Sequence, residues 1–186
     1  KDGSPPVEGV ELDPLTARVI AADAAARREM DRVFKDLTGL ENGPPTELEV
    51  KGRRVPVPQA AHGVARFSFE ELCARPLGAA DYLAIARQFH TVMIDGIPAL
   101  SPAKRNEARR FVNLIDTLYD QRVGVIVSAE TDVDGIYKEG DGAFFFERTT
   151  SRLIEMRSED YLAKRKDRAG ALNAGQGAEA AEATTA

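Results

Sequence analysis

The sequence predicts an α/β fold whose core is a strand, a helix and a second strand. Residues 123–129 form a continuous apolar stretch, which is typical of a strand buried on both faces of a sheet. Residues 91–95 form a second short apolar stretch that ends in an acid, and residues 106–121 carry apolar side chains at helical spacing. Because a helix that joins two parallel strands of one sheet makes a right-handed crossover, we expect these segments to form a parallel pair.

Composition limits the class of protein. The chain has 186 residues, of which 43% are hydrophobic and 30% are charged, as in one ordinary globular domain. Its net charge of −5 argues against a protein whose main work is to bind nucleic acid. No apolar run approaches the roughly 18 residues that a transmembrane helix needs, so no integral membrane segment is expected. One cysteine, Cys73, excludes an internal disulfide, and with only His62 and His90 no metal site is expected.

The first two regions lead into the fold. Residues 1–22 are expected to be an extended lead-in without a secretion signal. Residues 23–45 are predicted to hold a packing helix and a linker, because apolar residues recur at helical spacing up to residue 38. Asp23 is suited to the N-cap of this helix and Gly39 to its C-cap.

Residues 46–69 are predicted to form a small antiparallel β unit. Polar and apolar residues alternate on both sides of a turn at residues 51–52. Pro56 and Pro58 lack an N–H donor and therefore place this segment at a sheet edge. Residues 64–69 suggest a third short strand. Since two or three strands rarely stand alone, the unit is expected to pack on another part of the chain.

Residues 70–168 are predicted to be the main α/β region, which contains the parallel core. A helix is expected over residues 78–89, and a last helical segment runs through Tyr161. From residue 169 to residue 186 the composition changes to Ala, Gly, Glu and Thr, which have little to bury. We therefore expect a disordered C-terminal tail.

Two polar residues follow the predicted core strands. Asp95 ends the first strand, at the sheet edge where α/β proteins place functional acids. It is a candidate for metal contact or is a turn residue, since no second acid follows it. Ser128, near the end of the second strand, is a candidate sensor of phosphate or is a strand-terminal hydroxyl.

Arg148 and Arg152 are the clearest candidates for binding. If their segment is helical, their spacing of four residues places both guanidinium groups on one face. Two such groups on a rigid element are able to bind phosphate or carboxylate. The alternative is local pairing of Arg152 with Glu155 or Glu147 on a solvated face.

Other common catalytic patterns are missing from the sequence. It has no Gly-x-x-x-x-Gly-Lys-[Ser/Thr] loop to hold phosphates and no Gly-x-Ser-x-Gly nucleophile elbow. Cys73 has no nearby positive group in its segment to lower its pKa, so a thiol enzyme is not favoured. His90 precedes a buried strand and is expected to be a structural cap or core residue.

Three sequence runs are more specific than any spacing argument: Asn-Glu-Ala-Arg-Arg-Phe-Val-Asn-Leu-Ile-Asp at 106–116, Val-Ser-Ala-Glu at 127–130, and Phe-x-Arg-Thr-x-Ser-Arg-Leu-x-Glu-Met at 146–156. They resemble the C-terminal half of the ZapE-type (AFG-one-like) ATPases, which belong to the P-loop AAA+ class. The resemblance extends from about Leu12 to Leu162. It implies a partial, P-loop NTPase-like fold that corresponds to the C-terminal half of such an enzyme.

The resemblance implies further expectations. The ATP-binding loop and its acidic strand would lie in an N-terminal half that this chain lacks, and the first residue, Lys1, fits a fragment. The parent would bind and hydrolyse ATP with Mg²⁺, while this chain alone is expected to hold neither and to be inactive. Arg148 and Arg152 match the family motif, and they would contact nucleotide phosphate across a domain or subunit boundary or order the C-terminal segment against the ATPase core.

The expected partners are the missing ATPase half, the division-ring protein FtsZ in bacteria, and a second copy in a homo-oligomer. The resemblance implies a cytoplasmic protein in bacteria, or one in the mitochondrial matrix that takes part in protein turnover. A different class remains open: a non-enzymatic interaction module that docks on a partner ATPase or division protein.

Overall fold

A computed structural model describes residues 18–21, 26–130, 136–137 and 143–156. Its strands are β1 (Arg18–Ala21), β2 (Thr46–Val50), β3 (Arg53–Val57), β4 (Gln59–Ala61), β5 (Val64–Ser68), β6 (Thr91–Ile97) and β7 (Gly124–Ala129). Its helices are α1 (Ala26–Thr38), α2 (Ala79–Gln88), α3 (Arg105–Asp120) and α4 (Ala143–Glu155), with a π-helical segment at Glu70–Ala74 and a 3-10 turn at Pro102–Lys104.

Five strands form the main sheet in the order β1-β7-β6-β5-β4. β1, β7, β6 and β5 run parallel to one another, and β4 pairs antiparallel with β5 at one edge. The structure thus confirms the predicted α/β class and the parallel pair, β6 and β7, which α3 connects. β1 lies within the region expected to be an extended lead-in, and it pairs with β7 across more than 100 residues of chain.

The predicted β unit is divided between two sheets. β2 and β3 form a separate hairpin, in which Pro56 lies opposite Glu47. The expected third strand, β5, instead pairs with β6 in the main sheet. Its first four residues are all buried, because the sheet is covered on both faces there. Arg66, in the middle of this strand, interrupts the apolar stretch that marks a central strand in sequence.

Helices cover both faces of the main sheet. On one face α1 packs on the strands through Met30, Val33 and Phe34, which meet Met93 and Ile126. The opposite face carries the larger core, which contains α2, α3 and α4. Neighbouring residues of β6 point to different layers, since Met93 lies in the α1 core and Ile94 in the larger one.

Several predicted helix ends can be compared with the structure. α1 ends as expected at Gly39, which has φ +77° and donates its N–H to the carbonyl of Lys35 at 2.7 Å. The proposed N-cap Asp23 lies outside the described residues. So do Tyr161, the predicted end of the last helical segment, and the tail at 169–186.

The hairpin joins the rest of the fold through the buried side chains of Val50, Val55 and Val57 and through an ion pair. Arg53 Nη2 donates to Asp81 Oδ1 at 2.6 Å, and Asp81 Oδ2 accepts the backbone N–H of Gly78 at 2.7 Å. Asp81 is only 1% exposed, so the first turn of α2 buries a charge that Arg53 neutralises.

In the parts of the chain that the structure covers, no helix has both the length and the apolar character needed to cross a bilayer.

Candidate functional site

The four site residues predicted from the sequence fall into two separate clusters on opposite faces of the main sheet. Arg148 and Arg152 lie on α4, against α3, on the side of the larger core. Asp95 and Ser128 lie near the carboxyl ends of β6 and β7. Their side chains are on the face that α1 covers, because Asp95 shares its arginine partner with Asp31 of α1.

The first cluster, here called the arginine cluster, is centred on a single carboxylate of α3. Arg148 Nη2 donates to Asp116 Oδ2 at 2.8 Å, and Arg152 Nη1 donates to Asp116 Oδ1 at 2.6 Å. Each arginine therefore holds one carboxylate oxygen. This is charge-assisted hydrogen bonding, which is stronger than bonding between neutral groups.

Apolar packing between α3 and α4 places the two arginines next to Asp116. Phe146 of α4 stacks on Phe111 of α3 with their ring centroids 5.8 Å apart and their planes at 10°. Leu153 and Met156 are also buried. With this face of α4 fixed on the core, residues 148 and 152 come from consecutive turns and meet α3 at Asp116.

An aromatic ring supports the second arginine. The guanidinium carbon of Arg152 lies 4.9 Å from the ring centroid of Tyr119, and that of Arg122 lies 5.7 Å from the same centroid. The Tyr119 hydroxyl donates to Glu155 Oε2 at 2.6 Å, and this hydrogen bond raises the pKa of Tyr119. These two residues, with Arg122, complete the arginine cluster.

The two arginines differ in exposure. The side chain of Arg148 is 66% exposed, whereas those of Arg152 and Asp116 are 23% and 20% exposed. Within the described residues, Arg152 pairs with Asp116 of the neighbouring helix and not with Glu147 or Glu155 of its own. The alternative of local pairing is therefore absent from this structure, and the ion pairs join α3 to α4.

In the second cluster Asp95 is bound by an arginine that the sequence analysis missed. Arg66 Nε donates to Asp95 Oδ2 at 2.8 Å and Nη2 to Oδ1 at 3.1 Å, while Nη1 donates to Asp31 Oδ1 at 2.6 Å. Arg66 is only 6% exposed. Burial by itself would lower the pKa of Arg66, but the two carboxylates outweigh it and the pKa is raised. A charged residue inside an otherwise apolar stretch was the signal that could have revealed this cluster.

Ser128 is close to Asp95 but bonds to backbone. Its Oγ accepts the N–H of Gly96 at 2.8 Å, where β6 has a register shift and Gly96 adopts φ +73°. β6 thus continues past Asp95 to Ile97. A cleft of about 490 Å³ lies at this edge, and its lining includes Arg27, Asn42, Gln59, Arg66, Asp95 and Ser128.

Two other residues considered for chemistry have structural surroundings. Cys73 is buried, and burial raises the pKa of its thiol to about 12, which disfavours the thiolate that a nucleophile needs. His90 Nε2 lies 3.0 Å from the carbonyl oxygen of His62, and Nδ1 lies 2.9 Å from Thr91 Oγ1. The ring thus ties a turn to the start of β6.

The residues present do not fit a complete site for ATP and Mg²⁺. The 186-residue sequence lacks a phosphate-binding loop of the P-loop type. Among residues 18–21, 26–130, 136–137 and 143–156, no three His, Cys, Asp or Glu side chains form a group that could hold a metal ion. Arginine is a residue type that binds phosphate, but in this structure Arg148 and Arg152 both bind the carboxylate of Asp116.

Comparison with known proteins gives the following relatives. A family model described as AFG1-like ATPase matches residues 10–165. The cell division protein ZapE of Escherichia coli K12 is 38% identical over 146 residues, which are 77% of this chain and 38% of that protein. Lactation elevated protein 1 homolog B of Danio rerio is 34% identical, and the match covers 76% of this chain and 35% of the relative. The chain thus spans little more than a third of these relatives, and no solved structure matches it.

Proposed function

Because this chain belongs to the AFG1-like ATPase family, we propose that it is the C-terminal portion of an enzyme that binds and hydrolyses ATP with Mg²⁺. The match of the family model to residues 10–165 is the observation that carries this proposal. The relatives are nearly three times as long as the part that they share with this chain. The remaining length would supply the phosphate-binding loop and the metal ligands that these residues do not provide.

In this proposal the chain contributes the scaffold and the two arginines. Arg148 and Arg152 contact nucleotide phosphate across a domain or subunit boundary, or they order the C-terminal segment against the ATPase core. The exposure of Arg148, at 66%, supports the first role. The ion pairs of both arginines with Asp116 of α3 support the second role. Neither Asp95 nor Ser128 is assigned a nucleotide role, because Arg66 neutralises Asp95 and Ser128 bonds to Gly96.

The proposed partners and location are supported only by the names of relatives in the family. One relative carries the printed name of a cell division protein. We extend this to an action of the parent enzyme on the division ring of FtsZ in a bacterial cytoplasm. If the parent is mitochondrial, the proposal is a matrix enzyme in protein turnover. Assembly as a homo-oligomer is also part of the proposal.

A second candidate function is a non-enzymatic module that docks on a separate ATPase or division protein. The absence of a P-loop sequence in the 186 residues is the observation that favours it. The coding sequence upstream of Lys1 separates the two proposals. A Gly-rich loop with Lys-Thr in the same reading frame supports the ATPase portion, and a start codon directly upstream supports the module.

The experiment compares the chain with its upstream-extended form. By isothermal titration calorimetry, the 186-residue chain should bind no ATP at micromolar concentrations. The extended protein should hydrolyse ATP, and Arg148→Ala should lower its turnover without unfolding it. Arg54→Ala is the matched control, because Arg54 is 76% exposed and lies on the hairpin, where it pairs with Glu47. Micromolar ATP binding by the short chain, or an inactive extended protein, would contradict the proposal.

A further inference from the structure

Two arginines of the arginine cluster converge on one acid. Arg148 and Arg152 both form ion pairs with Asp116, so two positive charges face a single carboxylate between α3 and α4. A surface with this balance attracts anions, most of all those that carry several charges.

The two arginines that bind Asp116 differ in their exposure and in the number of their contacts. Arg152 is 23% exposed and packs over the ring of Tyr119 while it binds Asp116. Arg148 is 66% exposed, and its contact in the described structure is the one ion pair with Asp116. Exposed ion pairs contribute little stability, so Arg148 is able to leave Asp116 at small cost. Arg152 is thus the fixed member and Arg148 the movable one.

Asp116 offers the two arginines the same features that a phosphate group would offer. Its two oxygens each accept one guanidinium N–H, at 2.8 Å and 2.6 Å. Arginine recognises carboxylate and phosphate with the same planar, forked arrangement of donors. A phosphate has more oxygens and a greater charge than a carboxylate, so it is the stronger acceptor for the same pair.

From these three observations we infer that Asp116 is a built-in competitor of a polyphosphate group for Arg148 and Arg152. In the structure described here the carboxylate occupies the two guanidinium groups. A polyphosphate that approaches the surface takes over Arg148 first and then shares Arg152. Asp116 therefore lowers the affinity of the arginine cluster for phosphate. This inference deepens the proposed function, since it rests on the phosphate role given there to the two arginines.

The test uses the full 186-residue chain and inorganic tripolyphosphate as the probe. Binding is measured by isothermal titration calorimetry at low salt for the unmodified chain and for Asp116→Asn. The substitution keeps the shape and one acceptor oxygen but removes the charge. We expect Asp116→Asn to bind tripolyphosphate at least ten-fold more tightly. Asp120→Asn is the matched control, because Asp120 is an exposed acid one turn further along the same helix. It should leave the affinity within two-fold of the unmodified chain.

A further variant separates the cluster from general charge effects. Asp116→Asn combined with Arg148→Ala and Arg152→Ala should lose the gained affinity, while circular dichroism shows that it remains folded. ATP should bind to Asp116→Asn about as tightly as tripolyphosphate, because the inference gives no contact to the base or sugar. Equal affinity of Asp116→Asn and the unmodified chain would overturn the inference. So would an affinity gain that survives removal of both arginines, or an equal gain in Asp120→Asn.

These outcomes are distinct from a failure of the proposed function. If Asp116→Asn gains no affinity but Arg148→Ala still slows ATP hydrolysis by the extended protein, the competitor role is wrong and the ATPase proposal stands. If Asp116→Asn gains affinity while the extended protein hydrolyses no ATP, the phosphate site stands and the ATPase proposal is wrong.

Discussion

The two polar clusters on opposite faces of the sheet use the same kinds of residue in opposite ways. On the α1 face, one arginine with 6% exposure meets two acids, and Arg66 gives three of its nitrogens to them. On the α4 face, two arginines share one acid, and Arg148 remains 66% exposed. The first arrangement neutralises a buried charge and fixes α1 to the sheet. The second leaves the side chain of Arg148 largely exposed to solvent.

The largest expected loss of stability tests the packing of α3 against α4, which positions the arginine cluster. Phe111→Ala removes a fully buried ring that contacts Phe69 at 5.9 Å and Phe146 at 5.8 Å between ring centroids. A cavity of this kind costs about 3–5 kcal/mol in the free energy of unfolding. Chemical denaturation followed by circular dichroism measures the loss. If the midpoint stays unchanged, α3 does not form the support of α4 that the structure describes.

The next effect tests the cluster of Arg66 with Asp31 and Asp95. Arg66→Met keeps much of the side-chain length but removes the charge between Asp31 and Asp95. Because breaking a buried ion pair leaves an unpaired charge, we expect the free energy of unfolding to fall by about 2–4 kcal/mol. The loss is smaller than for a fully buried pair, since the two acids are partly exposed. The same denaturation experiment measures it. Arg54→Met on the exposed hairpin is the matched control, and equal losses in both variants would contradict the comparison.

The two acids that share Arg66 should differ from each other. Asp95 is 31% exposed and binds through both oxygens, whereas Asp31 is 53% exposed and binds through one. We expect Asp95→Asn to lower the free energy of unfolding by about 1–3 kcal/mol, and Asp31→Asn to lower it by less than about 1 kcal/mol. Thermal unfolding of the two variants side by side checks the order. A larger loss for Asp31→Asn would mean that the contact with α1, and not the strand pair, holds Arg66.

The smallest effect is expected at the arginine cluster. Arg148→Ala should change the free energy of unfolding by less than about 1 kcal/mol, since its ion pair is exposed. Arg152→Ala should cost more, because it also removes packing over Tyr119. Both variants are compared by denaturation in low and high salt. If Arg148→Ala lowers the free energy of unfolding as much as Arg66→Met does, the arginine cluster stabilises the fold in the same way as the ion pairs of Arg66.

Local pattern explains which parts of the fold could be predicted. The helix at α3 and the strands β6 and β7 are long or continuous apolar segments, so their type and order were correct. β1 has only four residues, and its pairing with β7 depends on contacts across the whole chain. β5 was assigned to the wrong sheet because Arg66 hides the apolar character of a central strand.

In the candidate sites, too, local spacing did not reveal partners that are distant along the chain. Spacing along one helix predicted that Arg148 and Arg152 share a face, but it could not identify Asp116, which is more than 30 residues away on α3. The partnership of Asp95 with Arg66 was missed for the same reason, since strand pairing brings them together. The family resemblance inferred from the motifs at 106–116 and 146–156 is confirmed by the match of the AFG1-like ATPase model.

The difference in accessibility between the two clusters can be measured in one sample. Nuclear magnetic resonance of the arginine Nε–H groups, recorded as the unmodified chain is titrated with millimolar tripolyphosphate, reports on Arg66, Arg148 and Arg152 together. We expect the signal of Arg148 to shift most, that of Arg152 to shift less, and that of Arg66 to stay in place. A shift of the Arg66 signal equal to that of Arg148, or an unmoved Arg148 signal, would contradict the conclusion that anions reach Arg148 and do not reach Arg66.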